Sequence, residues 1–397
     1  MRVAFSASPL YLHRLQHLFK TLAARFPDNE RVSGIGFGKV QRAAFRFRSE
    51  CWTRGWHKAL SVVELFVPLT PWDARVYRAR SSDAERKILA LPKRPDLIFH
   101  LFGMYAPVWR GHSIPYVMAL DFTEEIARRE WAPWAPFLND KAWKAWWECE
   151  RRAYNSATHL FPFGQRTRDS LIEDYGVAPE KITVVGSGGH FDEFYEGAHS
   201  FGSKRILFYG DPADFGRKGG DLVTAAFEFV RQRIPDAKLA VVGGANIPHA
   251  AGVEEHGWVS REKMRELFLT SDLVVAPSRC DPFPTFLIEA MNFGVPCVTS
   301  DVDGMPEIVE NEVTGLVLSD FSGERLGAEV TRLLNDTGRL ASMSEQSRRK
   351  VREKLNWHTI GNAIADKIEA LALLPASEPN ADKPPYRRVA WSSSEAS

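Results

Sequence analysis

Asp281 and Glu289, separated by seven residues, flank a Pro284-Thr285 step that reads as the start of a helix. The run before Asp281, Asp272-Leu-Val-Val-Ala-Pro277, is short and apolar, the pattern of a buried strand. A strand end that meets a helix start presents backbone N–H groups and the positive end of a dipole, which suits an anion such as a pyrophosphate. Thr285 and Phe286 supply those N–H groups, and the Thr285 hydroxyl adds a donor where Pro284 has none. Carboxylates beside such a spot cannot attract phosphate by charge, so they suit the hydroxyls of a sugar. Phosphate and sugar together describe a nucleotide sugar. Without a function, the same stretch is an ordinary strand-to-helix turn, with Asp281 as a cap and Glu289 solvated.

A second cluster lies upstream. Tyr209-Gly-Asp-Pro-Ala-Asp-Phe-Gly-Arg-Lys-Gly-Gly220 follows the apolar run 205–209 and precedes a helical pattern. Glycines such as Gly210 let the backbone come close to a ligand, and Lys218 places a point charge on phosphate oxygens. The alternative is a solvated basic turn. Asp121, in Ala119-Leu-Asp-Phe-Thr-Glu124, ends a strand on the side where open parallel sheets bind ligands. It is a candidate for positioning substrate, with Thr123 as a lesser one; the competing reading makes the two an N-cap pair. Trp258 is placed either to stack on a base or to fill the core.

The two clusters together resemble the retaining, two-Rossmann-domain (GT-B) nucleotide-sugar glycosyltransferases, with their acid–seven residues–acid motif. The resemblance is strong over about 204–320, moderate over about 145–195 and weak before that. It implies that Glu289 holds the ribose, that Asp281 with Asp121 orients the donor sugar, and that Lys218 stabilises the leaving diphosphate. Lys218-Gly219 matches the family's donor-phosphate loop, and Gly252–Ser260 its base-pocket wall with Trp258. Many members carry Arg after the first glycine, where this chain has Asp211; the neighbouring Arg217 is the candidate to replace that charge. Asp281 stands where Glu is usual. The loop Asp301–Glu307 also matches, with Glu307 read first as an acid complementing its own helix. The resemblance further implies no metal and no cofactor beyond the nucleotide sugar as co-substrate. The acceptor implied is a glycan, a lipid-linked or a small molecule, bound by the first domain.

Bulk properties agree with an enzyme of this size. The 397 residues suffice for two domains. A hydrophobic fraction of 44% and a charged fraction of 25% are ordinary for globular proteins, and a net charge of +1 gives no reason to expect nucleic acid. Four cysteines show no metal-ligand spacing. The first residues are strand-like, not a signal peptide, and no run is long enough to span a bilayer, so a cytoplasmic location is expected. The Arg- and Trp-rich stretch 42–58 offers a peripheral membrane contact or, more simply, helix packing with a basic face.

Strand-like runs alternate with helical ones, predicting an α/β fold of two Rossmann-like domains facing across a cleft. Strands are expected at 3–6, 96–101, 116–120, 159–162 and 182–185 in the first half. In the second they are expected at 205–209, 238–242, 273–276, 297–300 and 315–318. The expected units are an acceptor domain over 1–195 and a donor domain over 204–355. A helix over 356–374 crosses back to the first domain, and 375–397 forms a disordered tail. Three other functions stay open. One is a catalytically impaired relative that only binds nucleotide or glycan. Another is an epimerase on the same fold. The third, a dehydrogenase, is disfavoured because no Gly-x-Gly-x-x-Gly follows the first strand of either half.

Overall fold

The computed structural model describes residues 1–33, 72–111, 114–191, 193–244, 247, 250–320 and 322–372. The basic stretch 42–58 and the tail 375–397 therefore lie outside the described residues. The first sheet holds β1 (Val3–Ala7), β2 (Asn29–Ser33), β3 (Leu97–Leu101), β4 (Tyr116–Leu120) and β5 (His159–Pro162), in the order β2-β1-β3-β4-β5. The second holds β6 (Arg205–Tyr209), β7 (Lys238–Val242), β8 (Val253–Gly257), β9 (Leu273–Ala276), β10 (Cys297–Ser300) and β11 (Gly315–Leu318), in the order β11-β10-β9-β6-β7-β8. Every pairing in both sheets is parallel.

β1, β3 and β4 are buried at every position. That is the behaviour of parallel strands covered by helices on both faces, and it explains why they read as unbroken apolar runs. The edge strand β2, Asn-Glu-Arg-Val-Ser, has one buried residue in five and no such signal. Residues 182–185 are not a strand. Ile182 makes a single bridge to Leu160, and Thr183 and Val185 donate to Leu160 and Pro162, so the segment trails along β5 without forming a ladder.

Strand order decides where the crevices fall. In the second sheet it reverses between β6 and β9, so the loops after these two strands part in opposite directions. Those loops, 210–219 and 277–284, are the two segments that carry the candidate chemistry. The first sheet has its own reversal between β1 and β3.

Asp272, fully buried, fastens the chain where it enters the second sheet. Its carboxylate accepts from the backbone N–H groups of Gly202 (3.1 Å), Ser203 (3.3 Å) and Lys204 (2.9 Å), and from the Ser203 hydroxyl (2.9 Å). Asp272→Ala strands these buried donors and is expected to destabilise the second domain by roughly 2–4 kcal/mol, measured by denaturant unfolding.

The C-terminal region forms two helices, Thr337–Glu353 and Trp357–Ala372. Asn356 makes the break: its amide N–H groups donate to the Val351 and Arg352 carbonyls (both 3.0 Å), and its Oδ1 accepts from Thr359 N (2.8 Å). One side chain closes one helix and opens the next. The last helix lies on Gln16–Arg25 of the first domain, where a β-carbon on Gly361 would stand 2.8 Å from Thr21 Cγ2. Arg25 reaches Asn362 (3.2 Å), Asp366 (2.8 Å) and Glu369 (2.9 Å). Trp357 is buried, its ring 5.8 Å from that of Phe163.

Candidate functional site

The loops after β6 and β9 cross in contact. Arg279 N donates to Arg217 O (2.7 Å), and Arg217 Nη1 donates to Cys280 O (2.7 Å). Gly219 sits at φ +72°, and a β-carbon there would lie 2.1 Å from the Pro277 carbonyl oxygen. Only glycine combines that backbone with that clearance. The crossing brings Lys218 and Asp281 together as an ion pair, with Lys218 Nζ 5.9 Å from the centre of the Tyr209 ring. Residues far apart in sequence thus form one cation–carboxylate unit at the reversal point of the sheet.

Arg217 does not take the role expected of it. Its Nε and Nη2 bind Asp214 (3.0 and 2.7 Å), Nη1 binds the Cys280 carbonyl, and the guanidinium lies 4.4 Å from the ring centre of Trp134 in the first domain. It is buried and braces the crossed loops, so it is not a second hand on phosphate. Asp211 is a turn residue, its side chain accepting from Ala213 N (2.9 Å). Gly210 N is likewise committed, to Val242 O at 2.9 Å, so it is not a free donor for phosphate.

Thr285 and Phe286 begin the helix Thr285–Asn292, and its cap residue Pro284 makes no side-chain cap bond. The leading N–H groups of a helix have no partners within it, so this end can receive an anion. The Phe286 ring packs on Tyr209 (5.4 Å between centroids), which stiffens the floor of the crevice. Trp258 is 69% exposed and meets the Tyr209 ring edge-on at 6.3 Å. It does not fill the core; its indole is free to stack on a flat ligand at the mouth.

Glu289 lies one turn into the same helix, and its Oε1 accepts from His190 N across the cleft (3.3 Å). Burial pushes its carboxyl up to about 7. Burial, with Arg14, His17 and Arg261 nearby, pulls His190 down to about 4, leaving that ring neutral at pH 7. A ribose diol donates its hydrogen bonds best to the ionised carboxylate. The raised group is protonated in the empty cleft below about pH 7, so nucleotide affinity should increase as pH rises through that value. Glu289→Gln should flatten this dependence in calorimetric titrations of UDP or GDP.

Asp121 follows β4. Burial, with Asp281 nearby, raises its carboxyl to about 6. Of the possible cap pair, Thr123 alone takes that part: its Oγ1 accepts from Ile126 N (3.4 Å) and lies 2.7 Å from Ser170 Oγ. Glu307 stands in the first turn of its own helix, Met305–Ile308, as expected, and does more. It reaches across the cleft, and its Oε1 accepts from Gln165 N (2.7 Å), capping the helix Gln165–Glu173 of the opposite domain.

Three residues of the site were not singled out from the sequence: Trp134 over Arg217, Asp303 on the Asp281 backbone (2.6 Å), and Glu130 beside Asp303. Each acts across a loop or domain boundary. A local signal exists only for Asp303, which lies in the loop Asp301–Glu307 and adopts φ +49° there. Among the described residues, no helix is long and apolar enough to cross a membrane.

Two parallel Rossmann-like sheets with a ligand crevice at the reversal of the second define a GT-B architecture. Residues 202–350 match the model of the glycosyl transferases group 1, and residues 42–189 that of glycosyltransferase family 4. The two halves of the chain thus each match a glycosyltransferase family, the second half that of group 1. A GDP-mannose-dependent alpha-(1-6)-phosphatidylinositol monomannoside mannosyltransferase of Mycobacterium tuberculosis is 29% identical over 168 residues, 38% of this chain and 44% of that protein. The chain spans about half the length of the curated relatives it matches. Sucrose-phosphate synthase from Thermosynechococcus elongatus shares the fold with a TM-score of 0.62 at 16% identity, over 94% of this chain and 99% of that one. HepE of Anabaena, solved with UDP and glucose, shares it with a TM-score of 0.61 at 14% identity, over 93% and 100%.

Proposed function

We propose that the protein transfers a sugar from a nucleoside-diphosphate sugar to an acceptor held by the first domain, with retention of anomeric configuration and without a metal. The Lys218–Asp281 pair carries this reading, because it stands where two switch-point loops meet the helix that bears Glu289. The diphosphate lies at the start of Thr285–Asn292 with Lys218 on its leaving oxygen. Glu289 takes the ribose hydroxyls, Trp258 stacks on the base, and Asp281 and Asp121 face the sugar.

Transfer breaks the bond from the anomeric carbon to the phosphate oxygen and makes a bond to the acceptor hydroxyl. On a single-face route the acceptor proton passes to the departing phosphate oxygen, and no protein nucleophile is required. Lys218 stabilises the charge that develops there, the task for which preorganised electrostatics contribute most. Asp211 supports a second reading, a protein that binds nucleotide without transfer, since it stands where relatives carry a cation and does nothing here beyond closing a turn.

Thermal unfolding of the purified protein with UDP, GDP, ADP and their common sugar conjugates tests the donor site. Stabilisation by at least one is expected; a panel without effect removes the reading. Slow release of nucleoside diphosphate from the stabilising donor then separates a transferase from a binding protein.

A further inference from the structure

The loop after β10 carries Asp303 at φ +49°, a left-handed backbone that aspartate adopts more readily than most residues. This geometry turns its side chain back onto the neighbouring loop, where Oδ2 accepts from Asp281 N at 2.6 Å. Gly304 N completes the link by donating to Pro282 O (3.0 Å). The backbone of Asp281 is thus held by a carboxylate that belongs to neither of the loops carrying the Lys218–Asp281 pair.

From the first domain, Glu130 ends the helix Glu124–Glu130 with its carboxyl in this same place, within 4.8 Å of Asp303 and of Cys280 Sγ. Arg166, also of the first domain, holds Glu130 through Nε at 2.9 Å. Asp281 faces Lys218 and, at 3.8 Å, Arg217, which is itself paired with Asp214. Four carboxyl groups (Glu130, Asp303, Asp281 and Asp214) therefore meet three cations (Arg166, Arg217 and Lys218). Asp121 adds a further acid facing Asp281, and Arg14 beside it a fourth cation, which makes five acids against four cations. The cluster lacks one positive charge. A cation among Glu130, Cys280 and Asp303 would supply it, but burial keeps the Cys280 thiol protonated and Arg166 already occupies Glu130. A proton fits with no change of geometry.

We infer that Asp303 is a positioning residue for Asp281, and that Asp303 and Glu130 share a proton as a latch joining the two domains. The positioning role rests on the donor-site reading above; the latch does not. Burial and the neighbouring Glu130 raise the Asp303 carboxyl to about 7. The contact is accordingly present below that value and is lost as pH climbs through it, when two adjacent carboxylates repel across the cleft. Trp134 on Arg217, Glu307 on Gln165 and Glu289 on His190 also join the domains; of these Glu289 titrates in the same range but in the opposite sense, since its ionised carboxylate is the better acceptor, so loss of contact at high pH is the mark of the latch.

Small-angle X-ray scattering of the full chain at about pH 6 and about pH 8.5 tests the latch. The wild-type protein is expected to expand at the higher pH. Asp303→Asn keeps an acceptor for Asp281 N and a donor for Glu130, and tolerates the left-handed backbone, so it should stay compact at both. Glu130→Gln should do the same from the other side, which guards against a folding defect in either variant. A wild-type protein of constant size, or variants that expand as it does, overturns the latch. Positioning is read from UDP and GDP titrations: Asp303→Ala should weaken whichever nucleotide binds by about tenfold, and Asp303→Asn should restore it. Asp303→Ala at wild-type affinity overturns the positioning role. Failure of the wild-type protein to bind UDP, GDP, ADP or any of their sugar conjugates removes the donor-site reading and positioning with it, while the scattering arms still decide the latch.

Discussion

Lys218→Ala is expected to lower turnover of the nucleotide-sugar donor by about two to three orders of magnitude, with a smaller change in donor KM. The ammonium is half-buried, held over Tyr209 and against Asp281, and so is aimed before the donor arrives. In the empty cleft it neutralises Asp281; in the proposed donor complex it would face the oxygen on which charge grows as the sugar departs. An interaction that strengthens along the reaction affects kcat more than binding. Steady-state release of nucleoside diphosphate measures it. Wild-type turnover in the variant would place the leaving group away from Lys218. Arg217 cannot substitute, because Asp214, the Cys280 carbonyl and Trp134 hold it in place.

Gly219→Ala is expected to cost about 3 kcal/mol of stability and to abolish nucleotide-induced stabilisation. Alanine at φ +72° is strained in any surroundings, and here its methyl would stand 2.1 Å from the Pro277 carbonyl oxygen. That oxygen belongs to backbone, so relief requires the two switch-point loops to separate. Separation pulls Lys218 away from Asp281. Chemical denaturation gives the first effect and thermal shift with UDP or GDP the second. A variant that keeps both would show that the crossing of the loops is not what assembles the site.

The regular βα units were legible because buried parallel strands are short apolar runs and their loops carry the chemistry. Lys218 and Asp281 sit on such loops and Glu289 on the helix that follows the second, so type and spacing selected them as candidates, and the fold then explains why the first two meet. Direction was not legible. Arg217 and Lys218 are adjacent cations in one glycine-rich loop, but only the path of the backbone turns one inward beneath Trp134 and the other toward the crevice. Edges were not legible either, since Asn29–Ser33 is mostly polar and the run Ile182–Val185 is apolar yet lacks a ladder. The helix expected over 356–374 starts at Trp357, where Asn356 closes the preceding helix and opens this one. Contacts such as Glu307 with Gln165 depend on how two separately folded sheets face one another, which no local pattern encodes.

The return of Trp357–Ala372 to the first domain also sets an order of assembly. Arg25 precedes its partner Asn362 by 337 residues. During synthesis, therefore, the surface of Gln16–Arg25 that holds Leu18 and Thr21 waits uncovered while the whole second domain is made. The first domain cannot reach its final form as an independent product. It is completed last, by a segment that emerges only after the second domain has had time to fold.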